Sequence, residues 1–141
     1  MSPTRPTIRR NTFPRVAHLK RRRLIRPLFD RSRDDVGTVT AGCIRLLFRA
    51  VPRTETGQSV PVQVGFAPGR TRTAVERNRI RRLLREVYRV HQHALVDLFL
   101  HRSETLTVMI LFRGKVAKGD TCIGQDLPRA LERLAAQVNC R

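Results

Sequence analysis

The sequence predicts an α+β fold, a single sheet with helices packed on it, and three observations lead there. Three runs rich in branched and aromatic residues, "GCIRLLFRAV" (42–51), "VPVQVGFA" (60–67) and "TLTVMILFRG" (105–114), have the length and composition of strands. Two amphipathic helical segments, one between the second and third runs and one after the third, carry start signals. The resulting order is helix, two or three strands, helix, strand, helix, which suits one sheet with helices layered on it. With 141 residues, 40% of them apolar, a single core of ordinary size is expected.

Residues 1–17 read as a basic extended arm, because Pro3, Pro6 and Pro14 discourage helix, and residues 18–141 read as one folded domain. In "HLKRRRLIRPLF", Leu24, Ile25 and Leu28 have helical spacing, and Pro27 should kink or shorten the helix they predict. "DRSRDDVG" is a turn, and residues 38–41 are a candidate short strand. Residues 42–51 form a strand, "PRTETGQS" a hairpin-type loop, and residues 60–67 the paired strand. "PGRTR" is a tight basic turn leading into a long helix, which Thr73 and Glu76 open as a capping box and which runs to about His91 or His93. Residues 105–114 are long and apolar enough for a central strand. After a polar loop with Gly119 and Gly124, "DLPRALERLAAQV" predicts a last helix with Asp126 as N-cap and Pro128 in its first turn. Leu127, Leu131, Leu134, Ala135 and Val138 form its buried face.

The formal net charge is +18, from 29 basic and 11 acidic side chains. A fold that repels itself this strongly calls for an anionic partner, with nucleic acid first and an anionic membrane surface second. Only Lys20, Lys115 and Lys118 are lysines; the other 26 basic residues are arginines, whose planar fork matches phosphate and stacks on bases. A GC-rich genome would also favour arginine, but it would not explain the excess of charge. No apolar run approaches a membrane span. The N-terminus lacks the apolar core of a secretory signal, although its arginines and lack of acids are shared with mitochondrial transit peptides.

The three cysteines, Cys43, Cys122 and Cys140, are far apart and form no C-x-x-C pair. That spacing argues against a disulfide framework and against a zinc site, and predicts buried fillers in a reducing, cytoplasmic setting. Asp30, Asp34 and Asp35 share one turn and the other acids are single, so no convergent carboxylates for metal-dependent cleavage are predicted. His91 and His93, two apart near a helix end, diverge.

The long helix carries two opposed faces. At about 100° per residue, Ile80, Leu83, Leu84, Val87 and Tyr88 form a core-facing stripe. Asn78, Arg81, Arg82, Arg85 and Arg89 gather on the far side, with Arg77 at the stripe's edge and Arg79 on the opposite flank near Glu86. Like charges at i+3 and i+4 destabilise a helix unless an anion sits between them, and a row of phosphates would do so. "LKRRRLIR" and "PGRTR" are also basic; if they lie nearby, the three make a continuous groove.

"VGFAPGRTRTAVERNRIRRLLREVYR" resembles the signature of the bacterial ribonuclease P protein subunit family, through Ala74, Val75, Arg77, Asn78, Ile80, Arg81, Arg82, Arg85, Glu86, Tyr88 and Arg89. "TFPRVAHLKRRRLIRPLF" resembles that family's N-terminal element, and the likeness extends over about residues 12–139. The resemblance implies a two-layer α–β sandwich with a mainly antiparallel four-stranded sheet and a left-handed βαβ crossover, the fold of the second domain of a small-subunit ribosomal protein. It also implies a protein without a catalytic centre or cofactor of its own. Its partner would be a catalytic RNA that, with Mg²⁺, hydrolyses precursor tRNA to release the 5′ leader; no membrane and no small-molecule substrate are implied. By resemblance the RNA-binding residues are Arg70, Arg72, Arg77, Asn78, Arg81, Arg82, Arg85 and Arg89, and the leader cleft holds Phe13, Lys20, Ile25 and Phe29.

The sequence departs from the family at several points. Ile25 stands where an aromatic is common and His18 where an arginine is usual. The turn at residues 68–72 is shorter and uses arginine for lysine, and Pro27 is unexpected. The alternative reading is a ribosomal-type structural RNA-binding protein, against which the arginine–asparagine run weighs. A helix-turn-helix DNA binder fits less well, because the basic helix follows a strand rather than a partner helix.

Overall fold

A computed structural model describes residues 14–57 and 59–139. Four strands, β1 (Gly37–Ala41), β2 (Ile44–Pro52), β3 (Val62–Ala67) and β4 (Glu104–Phe112), form one mixed sheet in the order β1–β2–β4–β3. The β1–β2 and β2–β4 pairs are antiparallel, and β3 runs parallel to β4.

The expected hairpin between residues 42–51 and 60–67 does not form: β2 pairs with β1 and β4, and β3 lies on the far side of β4. The segment after β2 is not a turn but a short helix, α2 (Arg53–Thr56), ending at Gly57 in the left-handed region (φ 69°). With β1 and β4 on its two edges, β2 has no edge left for β3, and Arg53 ties α2 to the start of β4, donating from its backbone N–H to the Ser103 carbonyl at 3.0 Å and from Nη2 to the Phe99 and Glu104 carbonyls at 2.8 and 3.0 Å. The chain is thus carried past β4, which is buried along nearly its whole length and holds a central position. A parallel pair needs a crossover, and α3 (Ala74–His91) with α4 (His93–Phe99) supplies it.

Alternation sorts each strand between two faces. Ile44, Leu46 and Phe48 of β2, Val62 and Val64 of β3, and Leu106, Val108, Ile110 and Phe112 of β4 pack under the helices α3, α4 and α5 (Gly119–Asn139). Those helices contribute Ile80, Leu84, Tyr88, Leu95, Phe99, Ile123, Leu127, Leu131, Leu134 and Val138. Phe66 and Tyr88 meet edge to face, with ring centroids 6.0 Å apart. On the other face Leu47, Val51 and Met109 pack with Leu19, Leu24 and Leu28 of the N-terminal segment. That segment begins with a 3₁₀ turn at Arg15–Ala17, inside the stretch expected to be an extended arm, and docks through Leu19 N–H to the Val64 carbonyl at 3.0 Å. Helix α1 (Arg22–Ile25) follows and tightens into a 3₁₀ turn at Arg26–Phe29, the change expected at Pro27.

Helix α5 starts well before the expected Asp126 cap, and Pro128 lies inside it. The apolar face extends upstream through Ile123, which is fully buried, and holds the first turns against the sheet. Gly119 permits close contact with α3: a Cβ there would lie 2.8 Å from Ile80 Cδ1. Pro128 orphans the Gly124 carbonyl, but Gly124 is exposed, so water can satisfy it. Among the described residues no helix is long and apolar enough to cross a membrane.

Candidate nucleic-acid interface

Helix α3 is held by its inner face. Ile80, Leu84 and Tyr88 are buried, Leu83 and Val87 are half-buried, and burial pushes the Tyr88 phenol well above its ordinary range. Its first turn is capped as expected: Thr73 Oγ1 accepts the Glu76 N–H at 3.1 Å. The Glu76 carboxylate reaches back to the Arg72 N–H at 2.9 Å, one residue before the position of a standard box.

The outer face carries Arg77, Asn78, Arg81, Arg82 and Arg85, all exposed. None of these four arginines forms an ion pair with a described residue. Two arginines of the helix differ. Arg79 bonds Asp120 at 2.7 Å and the Val116 carbonyl at 3.1 Å, tying α3 to the start of α5. Arg89 pairs with Glu86 three residues earlier, which lowers the Glu86 pKa; the face expected to be wholly unpaired therefore ends in an internal ion pair. His91 turns its Nδ1 to the Val87 carbonyl at 2.9 Å.

The charge continues on both sides of α3. Upstream, Gly69 takes φ 74°, and a Cβ there would lie 2.2 Å from the Phe112 carbonyl oxygen, so the turn depends on glycine and presents exposed Arg70 and Arg72. Across the sheet edge, His18 lies within the field of Arg85 and Lys20. Burial, then Arg85, then Lys20 lower its pKa. The basic helix and the basic N-terminal segment thus both act on His18.

A cleft of about 320 Å³ opens between the Arg26–Phe29 turn and the sheet, with Leu28, Val36, Leu47 and Leu111 on its apolar side and Phe29, Arg31, Arg33 and Arg45 around it. Phe29 is 49% exposed at the rim. A second cleft, of about 480 Å³, shares Arg45 and Leu111 and runs on to Gly69, Arg70 and Arg113. Together they make a trough with an apolar floor and arginine walls. Arg31, Arg33, Arg45 and Arg113 were not singled out from sequence. Only the alternation of Arg45 with Leu47 along β2 places Arg45 on this face, and the other three sit in loops without a periodic signal. Of the predicted cleft residues, Phe29 lines this trough. Lys20 lines a separate cleft of about 250 Å³ with Arg15, His18, Arg21 and Gln63. Ile25 packs half-buried against the second core cluster, and Phe13 lies outside the described residues.

Two acids of the turn beside the trough, Asp30 and Asp35, are engaged. Asp30 accepts both the N–H and the hydroxyl of Ser32, at 3.0 and 2.6 Å. Asp35 bridges Arg33 and Arg49 at 2.9 and 2.8 Å, which holds its carboxyl well below the usual range. Among the described residues the one group of three potential metal ligands is Cys43, Cys122 and Asp126, on the β1–β2 connection and α5.

A family model described as Ribonuclease P matches residues 13–135. The chain belongs to the Ribonuclease P family. The ribonuclease P protein component of Porphyromonas gingivalis is 32% identical over 75 residues, 53% of this chain and 55% of that protein. That of Chlorobaculum tepidum is 33% identical over 89 residues, 62% of this chain and 55% of that protein. The chain thus aligns with about half the length of the curated relatives it matches. The RNase P protein of Staphylococcus aureus superposes with a TM-score of 0.55 at 15% identity, covering 84% of this chain and 94% of that one, which is a likeness of fold. Within the Ribonuclease P match, the arginine–asparagine run occupies the start of α3 and the N-terminal segment carries Phe29.

Proposed function

We propose that this chain is the protein component of a ribonuclease P ribonucleoprotein, and that it assists endonucleolytic removal of the 5′ leader from precursor tRNA in the cytoplasm. The carrying observation is the row Arg77, Arg81, Arg82 and Arg85, exposed and without an ion pair among the described residues, on a helix whose opposite face is buried. In this reading the row, with Asn78, Arg70 and Arg72, holds phosphates of the catalytic RNA, and binding releases counterions. Arg89 joins it from the far end, in competition with Glu86. The trough takes the single-stranded leader: Phe29 offers a stacking surface that any base can use, and Arg31, Arg45, Arg70 and Arg113 meet the backbone. Such contacts favour precursor over mature tRNA, because only the precursor has a leader.

The chain's residues do not fit Mg²⁺. A hard cation takes several convergent oxygen ligands, and among the described residues no group of three potential ligands lies at the trough. Mg²⁺ belongs to the RNA, whose phosphates supply such oxygens; the protein contributes positioning and charge.

Reconstitution tests this. The purified chain is mixed with a bacterial ribonuclease P RNA at low Mg²⁺ and near-physiological salt, and cleavage of precursor tRNA is followed. Stimulated cleavage at the correct 5′ site, with the protein inert alone, supports the proposal. Binding of the RNA without any stimulation overturns it in favour of a structural RNA-binding protein.

A further inference from the structure

We propose that Cys43, Cys122 and Asp126 form a binding site for a thiophilic divalent cation of the Zn²⁺ class. The spacing of the cysteines along the sequence argues against such a site, but the fold brings two of them together. Cys43 sits in the two-residue connection between β1 and β2, and Cys122 and Asp126 lie one turn apart on the same face of α5. One ligand atom from each lies within 4.8 Å of the other two. Tetrahedral zinc with bonds of about 2.3 Å to sulfur places its ligand atoms about 3.8 Å apart, so closure asks for movements of roughly 1 Å or less.

The surroundings are shaped around the carboxylate. Cys43 donates its backbone N–H to Asp126 Oδ2 at 3.0 Å, which orients the carboxylate beside the two thiols. Gly42, at φ 55°, has no side chain to block the approach: a Cβ there would lie 2.1 Å from the same Oδ2. Behind the connection, the Cys43 carbonyl accepts the Arg113 N–H at 2.7 Å, and a Cβ on Gly114 would lie 2.9 Å from Cys43 Cβ. The cysteine is therefore held by backbone on both sides. Cys43 is buried and Cys122 half-buried, so the cation enters from the Cys122 side, and water completes the coordination. Two thiolates and a carboxylate select Zn²⁺ or Cd²⁺ over Mg²⁺, which prefers oxygen. Bound there, the cation joins the β1–β2 connection to α5. Through Arg113 it also steadies the Phe112 end of β4, where the trough closes. Binding of the cation itself does not rest on the RNA-binding proposal.

The test uses the full chain, stripped of metal and kept reduced with a phosphine. Cd²⁺ is titrated while thiolate-to-metal charge-transfer absorbance is followed, and Zn²⁺ binding is measured by calorimetry, both with and without excess Mg²⁺. The expected result is one equivalent bound, undisturbed by Mg²⁺, with a rise in Tm on adding Zn²⁺. Cys140→Ser should bind like the parent chain. Cys122→Ser, at a half-buried position that tolerates the change, and Asp126→Asn should each lose at least about tenfold in affinity and the Zn²⁺-dependent rise in Tm. No charge-transfer band, undiminished affinity in Cys122→Ser or Asp126→Asn, or loss of binding in Cys140→Ser overturns the proposal.

Discussion

Arg79 Nη2 and Asp120 Oδ1 lie 2.7 Å apart, an ion pair that joins the long basic helix to the first turn of α5. It separates two kinds of arginine on one helix. Arg79 serves the packing of helix on helix, whereas Arg81 and Arg85 face solvent without an acidic partner among the described residues.

Salt dependence of RNA binding distinguishes the two. Arg81→Ala and Arg85→Ala should each weaken binding to ribonuclease P RNA and reduce the slope of log K against log salt by about 0.7–0.9, the loss of one phosphate contact. Arg79→Ala should leave that slope unchanged and lower stability by at most about 1 kcal/mol, as an exposed pair does. Filter binding over a series of salt concentrations measures both. Equal slopes in all three variants and the parent would remove the α3 face from the RNA interface.

Phe29 is half-exposed at the rim of the trough, so its truncation should cost little fold stability. Phe29→Ala should weaken binding of precursor tRNA to the reconstituted particle by about 1–3 kcal/mol, the range for one base stacked on an aromatic ring. Affinity for mature tRNA should stay the same. Equal losses for the two substrates would mean that Phe29 contacts something other than the leader.

His18 gives stability a pH dependence of defined sign. Burial, Arg85 and Lys20 lower its pKa in the fold, and Arg15 and Arg21 line the same cleft. The unfolded chain, with a histidine pKa near about 6.5, therefore binds the proton more readily than the folded one. Stability is unaffected above that value and falls as pH drops through it toward the folded pKa. Replacing His18 by Gln should flatten this part of the profile, read as denaturant midpoints between about pH 7 and 5. Parallel profiles for parent and variant would show that His18 carries none of the effect.

What could be read in the sequence was local. The span of α3, its Thr73 cap and its two faces depend on spacings within a few residues, and the structure repeats them. The partner of residues 60–67 is not encoded in those residues. Any apolar strand could pair there, and the choice depends on distant segments: β1 and β4 occupy both edges of β2, which leaves residues 60–67 the free edge of β4. The start of α5 was missed for a related reason. Gly119, Gly124 and Pro128 read as breakers one by one, whereas Ile123, seated against the sheet, holds the helix through them. The trough draws on the N-terminal turn, β1, β2, β4 and the turn before α3, and the Cys43–Cys122–Asp126 group on two distant segments. Neither has a sequence spacing of its own.

The turn before α3 supplies a test of backbone against side-chain constraint. Gly69 has φ 74°, and its Cβ position faces the Phe112 carbonyl oxygen at 2.2 Å, an obstacle that cannot swing away. Gly57 has a similar φ of 69°, but the nearest atom to its Cβ position is Arg21 Nη2 at 2.4 Å, the end of a flexible side chain. Gly57→Ala should therefore cost only the left-handed conformation, about 1–2 kcal/mol. Gly69→Ala adds displacement of β4's end and should cost clearly more, with a Tm lowered by a few degrees for each further kcal/mol. The displacement also moves Arg70 and Arg113 at the mouth of the trough, so Gly69→Ala alone should reduce affinity for precursor tRNA below the unfolding temperature. Calorimetric unfolding with parallel binding at a fixed low temperature separates the two effects. Equal Tm losses in the two variants would mean that the contact with Phe112 does not constrain this turn.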